Sequence, residues 1–176
     1  MSAKVHERKP IFSGRVFTLV TETVTLSNGT RAELDVIEHP GATAIVPFID
    51  SDHILMLRQY RHAVKTDLWE IPAGTLDPQE NELPCARREL TEETGYKAAE
   101  WQKMGEIVPV PGYSNERIHM YLATGLEKAE QNLDEDEVIE VHRIAFDEAI
   151  AMIQRGDVQD AKTICGLYLA QQYLTR

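Results

Sequence analysis

The feature that most constrains this chain is a helix with one acidic face, predicted at residues 82–94. Asn81 can cap its start, Pro84 is tolerated only in a first turn, and Gly95 suits the left-handed position after a helix ends. At about 100° per residue, one arc of this helix is apolar and can pack on a core. That arc consists of Leu83, Ala86 and Leu90.

The opposite arc is acidic. Glu89 and Glu93 lie one above the other with Glu92 beside them, and like charges four residues apart destabilise an isolated helix. A divalent cation would compensate, since Mg²⁺ takes oxygen ligands and combines one or two carboxylates with substrate phosphates. The alternative is a solvated charged face that pairs locally with Arg87 and Arg88.

The spacing around this helix resembles a known motif. Gly74 is followed after five residues by Glu80, and after seven more by Arg88-Glu89-Leu90-Thr91-Glu92-Glu93-Thr94-Gly95-Tyr96. Every specified position of the Nudix box is filled, so the chain resembles a Nudix hydrolase. The resemblance implies that Gly74 begins a loop over a diphosphate and that Arg88 and Glu80 orient the helix and loop. It also implies metal ligation by Glu89 and Glu93, assisted by Glu92.

Three further features resemble the ADP-ribose pyrophosphatase branch of that family. The lead-in Glu70-Ile71-Pro72-Ala73-Gly74 is similar to its Glu-x-Pro-Ala-Gly, which implies that the Ala73 carbonyl ligates metal. The strand Leu57-Arg58-Gln59-Tyr60-Arg61 implies that Arg61 contacts the diphosphate, and Pro111 follows Gly95 by sixteen residues. The substrate-binding residues implied are Arg61, Glu70, Gly74, Pro111, Glu116 and Phe17.

An acidic loop at residues 134–137 is the predicted source of a further carboxylate. The resemblance favours Glu137 as metal ligand or general base, with Glu135 as second candidate. The alternative is a solvated acidic loop, as charge runs usually are. With Glu92 and Arg88 from the box, these two glutamates complete the expected catalytic set.

Length and charge narrow the function further. The chain has 176 residues, 43% of them apolar, enough for one well-buried domain. Its net charge of −11 argues against nucleic-acid and anionic-membrane partners. Cys85 and Cys165 lack metal-ligand spacing, and the first ten residues have no apolar core of a signal peptide. We therefore expect a cytoplasmic protein with reduced thiols.

The predicted fold class is α/β: a Nudix-type α/β/α sandwich with an N-terminal antiparallel β extension. Residues 1–40 form the extension, with strands at 15–26 and 31–38 around the turn Ser27-Asn28-Gly29-Thr30, and residues 41–176 form the catalytic domain. Because a two-stranded hairpin is marginal alone, it predicts a homodimer. Residues 43–49 and 54–60 predict a central hairpin buried on both faces. Further strands are predicted at 68–71, 100–109, 117–125 and 138–145, and helices at 146–156 and from the Asp160 cap to 174.

The predicted function is Mg²⁺-dependent hydrolysis of ADP-ribose to AMP and ribose 5-phosphate, with Mn²⁺ as a possible replacement. Where relatives stack adenine between aromatic rings, this chain has Val16, Phe17 and Leu34, so only Phe17 could stack. A nucleoside diphosphate sugar hydrolase, acting for example on GDP-mannose, therefore stays as the near alternative. A Nudix-like domain that senses nucleotides without hydrolysing them is the alternative from another class.

Overall fold

A computed structural model describes residues 2–133, 135 and 137–175 of the chain. It divides into two compact units, residues 1–41 with 108–117, and residues 42–107 with 118–176. Residues 108–117, which the sequence analysis gave to the catalytic domain, thus cluster with the first unit. The two units are described separately.

The first unit is an antiparallel sheet of three strands, β1 (Lys4–Ser13), β2 (Thr18–Thr25) and β3 (Arg31–Glu38), in the order β1-β2-β3. The β2-β3 hairpin was predicted, and Gly29 takes the positive φ of 85° that its turn requires. Strand β1 was not predicted. All ten of its residues are exposed. Because neither face of the strand is buried, the sequence lacks the alternation of apolar and polar residues by which a strand can be predicted.

The segment 108–117 packs on strand β3 within this unit. The Ile37 N–H donates to the Tyr113 carbonyl at 2.7 Å, and the Asn115 N–H donates to the Ile37 carbonyl at 3.1 Å. The Asn115 side chain also accepts from the His39 N–H at 2.8 Å. These bonds hold a long connection that has no strand or helix of its own.

The second unit contains two sheets and three helices. A four-stranded sheet has the order β7-β4-β9-β8, in which β4 runs parallel to β9, and a three-stranded sheet has the order β10-β5-β6. Its elements are β4 (Ala42–Pro47), β5 (His53–Arg61), β6 (Thr66–Glu70), β7 (Ala73–Thr75), α1 (Glu82–Thr94), β8 (Tyr96–Ile107), β9 (Ile118–Lys128), β10 (Ile139–Ala145), α2 (Phe146–Arg155) and α3 (Ala161–Leu174).

The predicted central hairpin is wrong. Strands β4 and β5 belong to different sheets and share only the isolated bridge between Phe48 and Ile54. Strand β4 instead bonds to β7 and β9, whereas β5 bonds to β6 and β10. The turn between the two strands is short enough for a hairpin, but both edges of each strand are taken by other strands, of which β9 and β10 are distant in sequence.

Strand β4 lies in the middle layer of the second unit, and all six of its residues are buried. Ile45 packs with Ala86 and Leu90 of α1, while Ala44 and Val46 belong to the larger core cluster that includes α2 and α3 residues. Alternate side chains of one strand therefore meet helices on opposite faces. This arrangement confirms the predicted α/β/α fold class.

The ends of the helices test the predicted capping residues. Helix α1 has the predicted bounds, and Gly95 adopts the left-handed φ of 71°. Asn81 occupies the N-cap position, but its side chain makes no capping hydrogen bond, which corrects the expected role. Asp160 caps α3 as predicted, accepting from the Thr163 N–H at 2.9 Å. In the described ranges, no helix is long and apolar enough to cross a membrane.

Candidate active site

The segment from Glu70 to Gly74 is fastened to three parts of the second unit. The buried Ile71 N–H donates to the Thr163 hydroxyl at 2.9 Å, and the Ile45 N–H donates to the Pro72 carbonyl at 2.8 Å. The Ala73 N–H donates to Glu93 Oε2 at 2.9 Å. These three hydrogen bonds fix the position of the glycine loop, which follows strand β6, against helix α1.

Gly74 lies directly against Glu89. A Cβ atom at position 74 would come within 1.8 Å of Glu89 Cδ and 1.9 Å of Oε1. Any side chain at this position would thus displace the carboxylate. The glycine here is required by close approach of the backbone to an acidic group, and the pattern Gly74-x5-Glu80 had marked the same residue.

Glu89 and Glu93 form an acidic pair on α1, in which Glu93 is buried and the Glu89 side chain is 12% exposed. Glu93 is only 3% exposed, and burial raises its pKa well above the ordinary value, with the charges of Glu89 and Glu137 adding to the effect. Burial likewise raises the pKa of Glu89 to about 7, although Arg88 acts in the opposite direction. Two carboxyl groups that are costly to ionise therefore stand one turn apart.

Arg88 connects the acidic face to the loop that precedes it. Its Nη1 donates to Glu89 Oε1 at 2.7 Å and to Glu92 Oε2 at 3.0 Å. Its Nη2 donates to Glu80 Oε2 at 2.9 Å and to the Thr75 carbonyl at 3.3 Å. Hydrogen bonding to Glu80 raises the pKa of the guanidinium, which stays charged. The structure thus brings Arg88 and Glu80 together.

A second buried carboxylate, Glu70, lies at the end of β6 and is 1% exposed. Arg61 donates a bidentate pair of hydrogen bonds to Glu70, from Nε to Oε1 and from Nη2 to Oε2, both 2.7 Å long. Lys162 Nζ donates to the same Oε2 at 2.5 Å. Lys162 was not predicted as a site residue, because it is 92 residues from Glu70 and belongs to no recognised motif.

The acidic loop contributes one carboxylate that acts on the pair. The charge of Glu137 raises the pKa of both Glu89 and Glu93, whereas Glu135 is exposed. Asp134 and Asp136, the other acidic positions of the predicted loop, lie outside the described residues. Just upstream, Gln131 Nε2 donates to the Glu93 carbonyl at 2.7 Å and the Asn132 N–H to the Glu92 carbonyl at 3.1 Å. These bonds tie the start of the loop to the end of α1.

Comparison with known proteins places this geometry in a family. Residues 38–167 match the family model described as NUDIX domain, which is well over half of the chain. The chain belongs to the Nudix family. The recognition made from the box residues is thereby confirmed, and Nudix hydrolases generally use divalent metal ions.

Several relatives of this Nudix protein have names. It is 36% identical to the ADP-ribose pyrophosphatase of Bacillus subtilis, over 97% of this chain and 94% of that protein. It is 38% identical to the methanol dehydrogenase activator of Bacillus methanolicus, over 97% and 91% respectively. It is 35% identical to a GDP-mannose pyrophosphatase of Shigella flexneri, over 93% of both.

A solved structure supports the same Nudix fold. The crystal structure of an ADP compounds hydrolase superposes with a TM-score of 0.87, covering 99% of this chain and 95% of that one. The two sequences are only 23% identical. The likeness therefore concerns the backbone arrangement.

The acidic face of this Nudix protein has the chemistry of a divalent-metal site. Glu89 and Glu93 are oxygen donors whose ionised forms are disfavoured by burial, so a cation between them would offset that cost. Among the described residues, no three His, Cys, Asp or Glu side chains converge as a ready ligand set. Arg88 instead bonds to Glu89 and Glu92, and the Ala73 N–H bonds to Glu93.

Three predicted substrate residues belong to the first unit. Phe17 is 39% exposed, and its ring lies 6.2 Å from that of Phe12. Pro111 is exposed, and Glu116 Oε1 lies 3.8 Å from His39 Nδ1. Their roles toward substrate stay predictions.

Proposed function

We propose that this Nudix hydrolase is a Mg²⁺-dependent pyrophosphatase that converts ADP-ribose and water to AMP and ribose 5-phosphate. The observation that carries the proposal is the acidic pair Glu89 and Glu93, packed against the glycine loop at Gly74 and Ala73. An acidic pair beside a glycine loop would hold a divalent cation, and the cation would offset the negative charge of a diphosphate. Relatives named ADP-ribose pyrophosphatase favour ADP-ribose as the substrate.

The metal-holding residues in this proposal are Glu89 and Glu93, with Glu92 and the Ala73 carbonyl as further oxygen donors. Glu137 is either an additional ligand or the base. When bound, a divalent cation neutralises charge on the diphosphate and makes a water molecule more acidic. The preferred ion is Mg²⁺, and Mn²⁺ shares its preference for oxygen ligands.

Proton acceptance is assigned to Glu137. Glu89 and Glu93 are committed to metal, and the attacking water must lose a proton to a nearby carboxylate. The effect of Glu137 on the pKa of both residues supports its proximity to them. Glu135 and Glu92 are the reserve candidates, and Arg88 orients Glu89 and Glu92.

Substrate recognition is assigned to residues outside the acidic face. Arg61 binds the diphosphate, and Glu70, with its bidentate contact, sets the plane of the guanidinium. Gly74 lets the loop approach the substrate closely. Phe17 is assigned to base stacking, and Pro111 and Glu116 are further candidates for substrate contacts.

A nucleoside diphosphate sugar such as GDP-mannose is the second candidate substrate. The observation that favours it is the 35% identity to GDP-mannose pyrophosphatases over 93% of the chain. Phe17 as the lone aromatic for base stacking also fits a looser choice of base. Both substrates contain the same diphosphate, so the acidic face would serve either.

The proposed setting is a cytoplasmic homodimer that acts on small molecules and binds neither nucleic acid nor membrane. The net charge of −11 supports this, because polyanionic partners need a positive surface. The exposed apolar side chains of the first unit support association between copies.

The decisive experiment is hydrolysis of a substrate panel with and without Mg²⁺, with products identified. The panel contains ADP-ribose, GDP-mannose, UDP-glucose, NADH and a nucleoside triphosphate. We expect the highest kcat/KM for ADP-ribose and release of AMP. A preference for GDP-mannose would support the second candidate, and binding without hydrolysis of any compound would reduce the protein to a sensor.

A further inference from the structure

Glu70 has more positive partners than a carboxylate that only anchors Arg61 would need. Its side chain is 1% exposed, and Arg61 alone would neutralise its charge through the two 2.7 Å bonds. Lys162 adds a second cation at 2.5 Å, and Gln59 Nε2 lies 3.5 Å from the same Oε2. A second charge at a buried ion pair is costly to desolvate, so its presence calls for a purpose.

Lys162 is itself held in place. It lies in the first turn of α3 with a side chain only 14% exposed, and its Nζ is 3.1 Å from Asp160 Oδ2. Asp160 also accepts from the Thr163 N–H and hydroxyl, at 2.9 and 2.6 Å. The cluster of Arg61, Glu70, Lys162 and Asp160 therefore carries two positive and two negative charges.

The same turn of α3 supports the glycine loop. Thr163, next to Lys162, accepts from the Ile71 N–H, and Ile71 directly follows Glu70. Helix α3 thus fixes both the backbone and the carboxylate at the end of β6. Its first turn determines where Glu70 stands.

Arg61 keeps the exposure that a substrate contact requires. Its side chain is 43% exposed although Glu70 is buried, and the bidentate bond uses only Nε and Nη2. The Nη1 group therefore retains two N–H donors beyond those bonds. Because Glu70 holds one edge of the guanidinium in a fixed plane, the donors on the opposite edge have a defined direction for a substrate phosphate.

We propose that Lys162 is a positioning residue, which sets Arg61 for the substrate diphosphate by sharing the buried carboxylate of Glu70. The inference rests on the proposed function, in which Arg61 binds the diphosphate. Without Lys162 the cluster would carry a net negative charge beside an anionic substrate, and Oε2 would lose its shortest bond. Substrate binding then weakens, while the acidic face on α1 keeps its chemistry.

The test compares Lys162→Met, Lys162→Arg, Arg61→Gln and the double variant Arg61→Gln with Lys162→Met. The affinity for ADP-ribose is measured by calorimetry in EDTA, and KM and kcat are measured with Mg²⁺. Lys103→Met is the matched control, because Lys103 pairs with Glu82 at 2.7 Å on the surface of the same unit. If Lys162→Met does not fold, Lys162→Gln takes its place.

We expect Lys162→Met to raise Kd and KM about tenfold with kcat changed less than about threefold. Lys162→Arg should restore most of the affinity, and Lys103→Met should match the wild type. The double variant should bind no more weakly than Arg61→Gln alone, because Lys162 acts through Arg61. A purely structural lysine would instead give additive losses and lower kcat as well.

Unchanged Kd and KM in Lys162→Met, or additive losses in the double variant, would overturn the inference. Hydrolysis of ADP-ribose by the wild-type protein tests the proposed function separately from the role of Lys162. A wild-type protein that binds ADP-ribose without cleaving it contradicts the proposed function, while the Kd values still decide the role of Lys162. A wild-type protein that neither binds nor cleaves it overturns both.

Discussion

At the scale of single residues, the close approach of the Gly74 backbone to Glu89 determines where the Glu89 carboxylate can lie. The space for a side chain at position 74 is filled by the carboxylate of Glu89, which is the end of a flexible side chain. An intruding methyl group would move the carboxylate at small cost to folding. The function should suffer far more than the fold.

Gly74→Ala should therefore lower kcat by about 10²-fold, the loss typical of misplacing a reacting group by about 1 Å. Its free energy of unfolding should change by less than about 1 kcal/mol, since Glu89 can rotate away. Gly112→Ala is the control, because a Cβ there meets no atom within 4 Å. Activity assays and urea denaturation check the two expectations, and a fully active Gly74→Ala enzyme would contradict the packing argument.

The raised pKa of Glu89 makes the stability of the metal-free protein depend on pH. The folded pKa of about 7 exceeds the ordinary 4.5, so the folded state holds a proton that the unfolded state releases in this range. The contribution of Glu89 is thus most favourable below about pH 4.5 and is lost as pH rises to about 7.

Glu89→Gln removes this dependence. Its stability relative to wild type should increase by about 2 kcal/mol between pH 4.5 and 7 and change little above that. Urea denaturation in EDTA across this range measures the difference. A stability difference that does not vary with pH would show that Glu89 titrates normally.

The residue scale also shows what sequence could predict of the site. Glu89, Glu92, Glu93 and Arg88 could be predicted to lie together because their spacing on one helix is local, and their roles stay predictions. Lys162 could not be recognised, because its contact with Glu70 depends on how α3 docks. Residues that approach each other only through tertiary packing leave no spacing signal in a single sequence.

At the scale of elements, prediction succeeded where the signals were local. Helix α1 has its predicted bounds because Pro84 and Gly95 limit it from within the sequence. Strands β4 and β5 were predicted, but their pairing was wrong because each takes partners from distant parts of the chain. Strand β1 was missed because its ten exposed residues show no periodic burial.

The loop that precedes β10 contains Glu137 and Glu135, the two candidates in this loop for the general base. Glu137→Gln should lower kcat about 10²-fold with a smaller effect on KM, the scale of general acid-base catalysis. Glu135→Gln is the matched control in the same loop and should cost less. Steady-state kinetics with Mg²⁺ compare the two. Near-wild-type rates for both would remove the loop from the mechanism and return the search for a base to Glu92.

At the scale of the whole molecule, the first unit exposes more apolar surface than a small sheet needs. Its large apolar side chains exposed by 39–57% are Val5, Ile11, Phe12, Val16, Phe17, Leu34, Val108 and Tyr113. Apolar residues gathered on one small unit commonly mark an interaction surface. The third strand, β1, makes the unit more than the predicted two-stranded hairpin, so the argument that a lone hairpin needs a partner no longer applies. The expectation of a dimer rests instead on these exposed apolar side chains.

We therefore expect a homodimer at micromolar concentration, measured by sedimentation equilibrium. Ile11→Glu should shift it toward monomer by placing a charge in the apolar surface. Leu174→Glu, at an apolar residue of the other unit that is 54% exposed, should leave the mass unchanged. A wild-type monomer with full activity would contradict the expectation.

The central claim is that the acidic face of α1 holds a divalent cation on which hydrolysis of the diphosphate depends. Its most direct test is the initial rate of ADP-ribose hydrolysis as Mg²⁺ is titrated, for wild type, Glu93→Gln and Glu82→Gln. Glu82 is a half-buried glutamate of the same helix, paired with Lys103 and away from the acidic pair, and serves as control. We predict Mg²⁺-dependent AMP release by wild type and Glu82→Gln, and a rate at least about 100-fold lower for Glu93→Gln, which still folds. Equal rates for the Glu93→Gln and Glu82→Gln proteins would contradict the account.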